Sequence, residues 1–139
     1  MDTKAKILIV DDEDIVRMSY ERIFAGTNCD VEAASSGIQA VELLQRQRDP
    51  FDVVLLDLRM PGMDGMTVLK AIKQRWPESE VIVITGYPTI DSAKEAVTLG
   101  AYDYLTKPVG PEQVIDATVG AMQHKRWALR PDAGSGRME

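Results

Sequence analysis

The chain has 139 residues, enough for one domain with a real core and too few for two ordinary ones. Its 45% hydrophobic and 27% charged content are those of a globular chain; a net charge of −6 argues against nucleic-acid binding by this chain alone, and one cysteine, Cys29, excludes an internal disulfide. No stretch reaches the roughly 20 apolar residues of a membrane helix, and the first residues lack a signal-peptide pattern, so no membrane contact and a cytoplasmic location are expected.

Lys6–Val10 is short and apolar and predicts a buried strand. The acidic run Asp11-Asp12-Glu13-Asp14 follows. It reads either as a helix N-terminus, with Asp14 as cap, or as a carboxylate cluster for a divalent cation. Ile15, Val16, Met18, Ile23 and Phe24 predict a helix over 15–25, with Gly26 as its C-cap. Val31–Ala34 predicts a strand. Ser35-Ser36-Gly37 then opens a helix through Ile38, Ala40, Val41, Leu43 and Leu44, which Asp49-Pro50 breaks. Val53–Leu56 is uniformly apolar, as a strand buried on both faces is, and Asp57 stands at its end. Beyond Pro61-Gly62 a helix runs through Met66, Val68, Leu69, Ile72 and Trp76. Val81–Ile84 predicts another buried strand, ending in Thr85-Gly86. Ile90–Leu99 predicts a weaker helix with a small inward face of Ala93, Ala96 and Val97. Ala101–Leu105 predicts the last strand, before Thr106-Lys107-Pro108. Pro111 starts a final helix to about Ala128, in which His124 reads as a solvated residue suited to the helix dipole and Trp127 as a partner contact.

Strand and helix alternate five times. This predicts an α/β fold of flavodoxin-like (βα)5 type, with a five-stranded parallel sheet in the order 2-1-3-4-5 and helices on both faces. In that order the ends of strands 1, 3, 4 and 5 lie side by side. Asp11, Asp12, Asp57, Thr85 and Lys107 therefore meet at one crevice beside the switch point. Three carboxylates there repel one another, and a divalent cation relieves that cost. All-oxygen ligation in a small site suggests Mg²⁺; with Lys107 it balances the three negative charges. A carboxylate needs no base to act as a nucleophile, so Asp57 suits phosphoryl transfer, which needs mainly positioning and charge neutralisation.

Val10-Asp11-Asp12, Asp57 with Met60-Pro61-Gly62-Met63-Asp64-Gly65, Thr85-Gly86, Tyr104 and Lys107-Pro108 together resemble the receiver domain of bacterial two-component response regulators. The wording around Asp57 and Thr85 is most similar to receivers of ATPase-type transcriptional activators. The resemblance implies that Asp57 accepts a phosphoryl group from a sensor histidine kinase. Asp12, Asp57 and the Arg59 carbonyl would bind Mg²⁺, with Asp11 acting through a water. Lys107, joined to Pro108 by a cis bond, would pair with the phosphoryl group. Thr85 and Tyr104 would form the switch, changing a surface made by the fourth helix, last strand and last helix. Arg59 and Tyr87 flank the site and would tune phosphoryl lifetime. The protein would be a signalling phosphoacceptor, not an enzyme. It would act on an output domain or partner protein, with a phosphorylation-dependent homodimer left open. Residues 1–128 are expected to form the receiver and 129–139 a disordered tail or linker remnant. The competing reading is a phosphatase of haloacid-dehalogenase type. Its aspartyl nucleophile requires a second Asp two residues later, where this chain has Arg59, and it needs a cap domain. A nucleotide- or flavin-binding module ranks last, because no Gly-rich phosphate loop follows any strand.

Overall fold

The computed structural model describes residues 4–129, with side chains as far as residue 124. The expected tail beyond residue 129 and the Trp127 side chain lie outside the described residues. The elements are β1 (Ala5–Val10), α1 (Asp14–Ala25), β2 (Cys29–Ala34), α2 (Gly37–Arg46), β3 (Val53–Leu56), α3 (Gly65–Arg75), β4 (Glu80–Thr85), α4 (Ile90–Thr98), β5 (Asp103–Thr106) and α5 (Pro111–Leu129). The five strands form one parallel sheet in the order β2-β1-β3-β4-β5.

Alternation along the central strands divides the core into two layers. Leu8, Val10, Val54, Leu56, Val81 and Val83 pack against residues of α2, α3 and α4. Ile7, Ile9, Val53, Leu55, Ile82 and Ile84 pack against α1 and α5. Both faces of β3 and β4 are covered, which is why those strands read as unbroken apolar runs.

Several local expectations are corrected. β2 starts at Cys29, which pairs with Ala5. β5 starts at Asp103, because the Ala101 amide instead donates to the Ala96 carbonyl at the end of α4 (2.9 Å). Asp14 does not cap α1. Asp11 Oδ1 already accepts the Glu13 amide at 2.9 Å, Glu13 becomes the cap position, and Asp14 is the first helical residue, ion-paired to Arg17. The inward face of α1 carries Tyr20 and Phe24, while Ile15 and Met18 are exposed. In α2, Ile38 is likewise exposed. In α4 only Ala96 is buried; Val97, expected inside, is 67% exposed.

His124 is exposed, as the sequence suggests, but its ring is not without partners. Its Nδ1 lies 2.7 Å from Oε2 of Glu80, a buried carboxylate at the start of β4 that also faces Lys73 of α3 at 3.8 Å. The imidazole packs at a tilt on Tyr102, with centroids 5.5 Å apart. Tyr102 fits there because Gly120 of α5 has no side chain: a Cβ would sit 2.6 Å from its hydroxyl. Among the described residues no helix is long and apolar enough to cross a membrane.

Candidate functional site

The site is built where strands stop pairing but the backbone ladder continues by one residue. The Asp11 amide donates to the Ala34 carbonyl (3.1 Å), the Asp57 amide to the Val10 carbonyl (2.9 Å) and the Lys107 amide to the Thr85 carbonyl (2.8 Å). Each chemistry-bearing side chain is thus fixed by the strand next to its own. Asp11 and Asp57 are buried and Asp12 is exposed. All three place a carboxylate oxygen within 4.8 Å of the others. Lys107 Nζ donates to Asp11 Oδ2 at 2.8 Å and lies 3.5 Å from Asp57 Oδ2 and from Glu13 Oε1. Lys107-Pro108 is a cis bond, as the resemblance implies.

The loop after β3 is shaped around Asp57. Arg59 donates its amide to Asp57 Oδ1 at 3.2 Å, Gly62 takes a positive φ of 81°, and the Gly65 amide closes the turn onto the Leu58 carbonyl at 3.0 Å. Asp64 then caps α3 by accepting from the Thr67 amide. At Gly65 a Cβ would lie 2.3 Å from the Asp57 carbonyl oxygen, so this loop closes only with glycine there. The result is an open cleft of about 760 Å³ lined by Asp12, Asp57, Arg59, Gly86, Tyr87 and Lys107 among others. The Arg59 guanidinium stacks over the Tyr87 ring at 4.1 Å and joins the β3 and β4 loops at this cleft.

Burial raises the Asp57 carboxyl above its ordinary 3.8. The Arg59 amide opposes the rise, Asp11 adds to it, and Lys107 opposes it without cancelling it. Burial also works against the Lys107 charge. Its hydrogen bond to Asp11, and the attraction of Asp11 and Asp57, outweigh that, and the ammonium holds its proton more tightly than an ordinary lysine. The Asp cluster offers only hard oxygen donors with excess negative charge, and so suits a divalent metal ion.

The structure brings Asp11, Asp12, Asp57 and Lys107 together. It does not bring Thr85 or Tyr104 into the cleft wall. Thr85 is fully buried at the end of β4, and its hydroxyl accepts the Tyr87 amide at 3.1 Å. Tyr104 points to α4, its hydroxyl 2.5 Å from Ser92 Oγ. The acidic run thus divides its work: Asp11 and Asp12 join the cluster, and Glu13 reaches Lys107. Sequence reasoning missed Ser92 as the partner of Tyr104, the Arg59–Tyr87 stack and the buried phenol of Tyr20. The signal available for Tyr20 was its position four residues after Val16 on the inward face, where a phenol brings a polar tip to the site.

Fold and site together define a doubly wound α/β domain with an acidic, lysine-bearing pocket at the carboxyl edge of its sheet. The chain belongs to the response regulator receiver domain family, whose profile matches residues 7–119. It is 36% identical over 125 residues to the DNA-binding transcriptional regulator NtrC of Escherichia coli K12, covering 90% of this chain and 26% of that protein. It is 40% identical over 107 residues to the response regulator protein PilR of Pseudomonas aeruginosa, covering 77% and 24%. This chain therefore spans about a quarter of the length of these relatives. A receiver domain protein from Clostridium thermocellum superposes with a TM-score of 0.84 at 32% identity, covering 90% of this chain and 99% of that one. NtrX from Brucella abortus, solved with ADP, matches over 29% of its length with a TM-score of 0.83 at 29% identity.

Proposed function

We propose that this chain is a phosphorylation-controlled signalling module acting in the cytoplasm. Residues 1–128 form the receiver, Asp57 is the phosphoacceptor and a sensor histidine kinase is the donor. The observation that carries this reading is the placement of buried Asp57 in one cleft with Asp12 and Lys107, beside Asp11. An Asp57 carboxylate oxygen attacks phosphorus. The bond from phosphorus to the donor nitrogen breaks, and its electron pair stays on the donor imidazole. Lys107 exchanges its carboxylate partners for phosphoryl oxygens. Asp12, Asp57 and the Arg59 carbonyl, with Asp11 through a water, would hold Mg²⁺, which when bound supplies the positive charge that the phosphoryl oxygens need. Arg59 and Tyr87 cover the acceptor and limit access of water.

The chain accepts one phosphoryl group per molecule and passes on a signal; it does not turn over a substrate pool. The switch runs through Thr85 and Tyr104. If Thr85 turns its hydroxyl to the phosphoryl group, the Tyr104–Ser92 contact is free to break, which changes the surface of α4, β5 and α5. By analogy with the transcriptional regulators it resembles, that surface controls a transcriptional output in a further domain, a partner protein or a phosphorylation-dependent homodimer.

Intact mass after incubation with Mg²⁺ and acetyl phosphate tests the reading. The expected result is one phosphoryl adduct on the parent chain and none on Asp57→Asn, with faster adduct decay in Arg59→Ala. An adduct that survives in Asp57→Asn, or rapid turnover of varied phosphate esters, would overturn the assignment.

A further inference from the structure

A buried tyrosine beside the site takes no part in phosphoryl transfer or in the Thr85–Tyr104 switch. Tyr20 is 5% exposed, and its hydroxyl has no hydrogen-bond partner among the described residues. A buried phenol left without a partner is costly, and native structures seldom keep one without a use. Its direction follows from the helix. Side chains of α1 lean toward the helix N-terminus, and that terminus lies at the carboxyl edge of β1, so the ring of Tyr20 is carried toward the site.

A second group nearby is incompletely satisfied. The Lys107 ammonium has three donors, yet only its contact to Asp11 at 2.8 Å has the length of a charge-assisted hydrogen bond; those to Asp57 and Glu13 are 3.5 Å. Tyr20 and Lys107 line the same open groove of about 420 Å³, on the α1 side of the lysine with Val16 and Pro108. The phenol is also pushed up to about 12, first by burial; Lys107 opposes the rise, and Asp11, Asp57 and Glu13 add to it, which puts the hydroxyl within the field of the site's charges.

We propose that Tyr20 is a positioning residue for Lys107, its hydroxyl accepting a hydrogen bond from the ammonium as the lysine leaves Asp11 for an incoming phosphoryl group. This rests on Asp57 being the phosphoacceptor. The tyrosine touches neither the donor nor the acceptor; it acts through the lysine. Without it, an ammonium that leaves Asp11 for the phosphoryl oxygens has one donor fewer satisfied, which favours its return to Asp11.

The test compares the parent chain, Tyr20→Phe, Lys107→Ala and the double variant. Initial rates of phosphoryl adduct formation are read by intact mass with Mg²⁺ and acetyl phosphate, and thermal midpoints are read in parallel. Tyr20→Phe keeps the ring and removes an unpaired polar atom, so its midpoint should equal or exceed the parent's. Its adduct rate should fall about tenfold, the scale of one hydrogen bond to a charged group. In the Lys107→Ala background the same substitution should change nothing. A Tyr20→Phe rate equal to the parent's overturns the proposal, as does an equal further slowing without Lys107, because a merely structural tyrosine would act in both backgrounds. A parent chain that forms no adduct overturns the phosphoacceptor reading and this proposal together. An adduct with no Tyr20 effect overturns this proposal alone.

Discussion

Asp57 sets two opposing demands at one carboxyl. Burial and Asp11 make its charge costly, while Lys107 and the Arg59 amide keep it ionised enough to react. A carboxyl whose folded-state pKa lies above its unfolded value costs stability once ionised. The cost is absent below the ordinary value near 3.8 and appears as pH rises through the window above it. In metal-free buffer, Asp57→Asn should therefore raise the thermal midpoint at pH 7, and the gain should shrink as pH falls toward the ordinary carboxylate range. A lower midpoint at pH 7 would show that Lys107 outweighs burial. Gly65 shows the same economy in backbone form. Its missing Cβ lets α3 begin directly against Asp57, and the atoms it would strike, the Asp57 oxygen at 2.3 Å and Leu58 Cα at 2.5 Å, are main chain and cannot swing aside. Gly65→Ala should cost about 1–3 kcal/mol, the range for inserting a methyl into a packed site, read as a shift in urea midpoint. An unchanged midpoint would mean that the loop is not closed as described.

Among the elements, α4 buries little, whereas α5 packs on the sheet and carries a polar contact at its far side. α4 buries only Ala96 and presents Ile90 and Val97 to solvent. It is held by the Thr89–Ser92 capping box and by the Ser92–Tyr104 contact. Little apolar area resists its movement, so its amides should exchange with solvent faster than those of α3, which buries Val68, Leu69 and Ile72. Thr89→Ala should widen that difference, since loss of an N-cap costs about 1 kcal/mol. Equal protection of the two helices, measured by hydrogen exchange, would remove α4 as the moving part. α5 is tied to β4 and α3 at the far edge of the sheet through His124, Glu80 and Lys73. That anchor was not legible in the sequence: His124 and Glu80 are 44 residues apart, and neither sits in an apolar pattern that predicts contact. The weakness of α4 was legible, because small side chains on a helix face bury little wherever they point.

For the whole molecule, the legible part was what repeats. Short apolar strands between amphipathic helices specify a parallel sheet, and right-handed crossovers leave few strand orders. The order 2-1-3-4-5 then brings Asp11, Asp12, Asp57 and Lys107 to one edge without knowledge of any side-chain contact. What stayed hidden depends on where a side chain points. Val97 and Met18 fit a helical pattern yet face solvent, Tyr20 stood outside the pattern that marks α1 yet is buried beside the site, Thr85 reaches the right edge but lies buried behind the cleft wall, and Tyr104 points to α4. Periodicity assigns faces, and only packing assigns directions.

The central claim is that, of three clustered carboxylates, Asp57 is the one that forms the acyl phosphate. Reduction of the phosphorylated chain with tritiated borohydride converts an aspartyl phosphate to labelled homoserine, which peptide mapping locates. The account predicts label at position 57 alone; label at Asp11 or Asp12, or none at all, would contradict it.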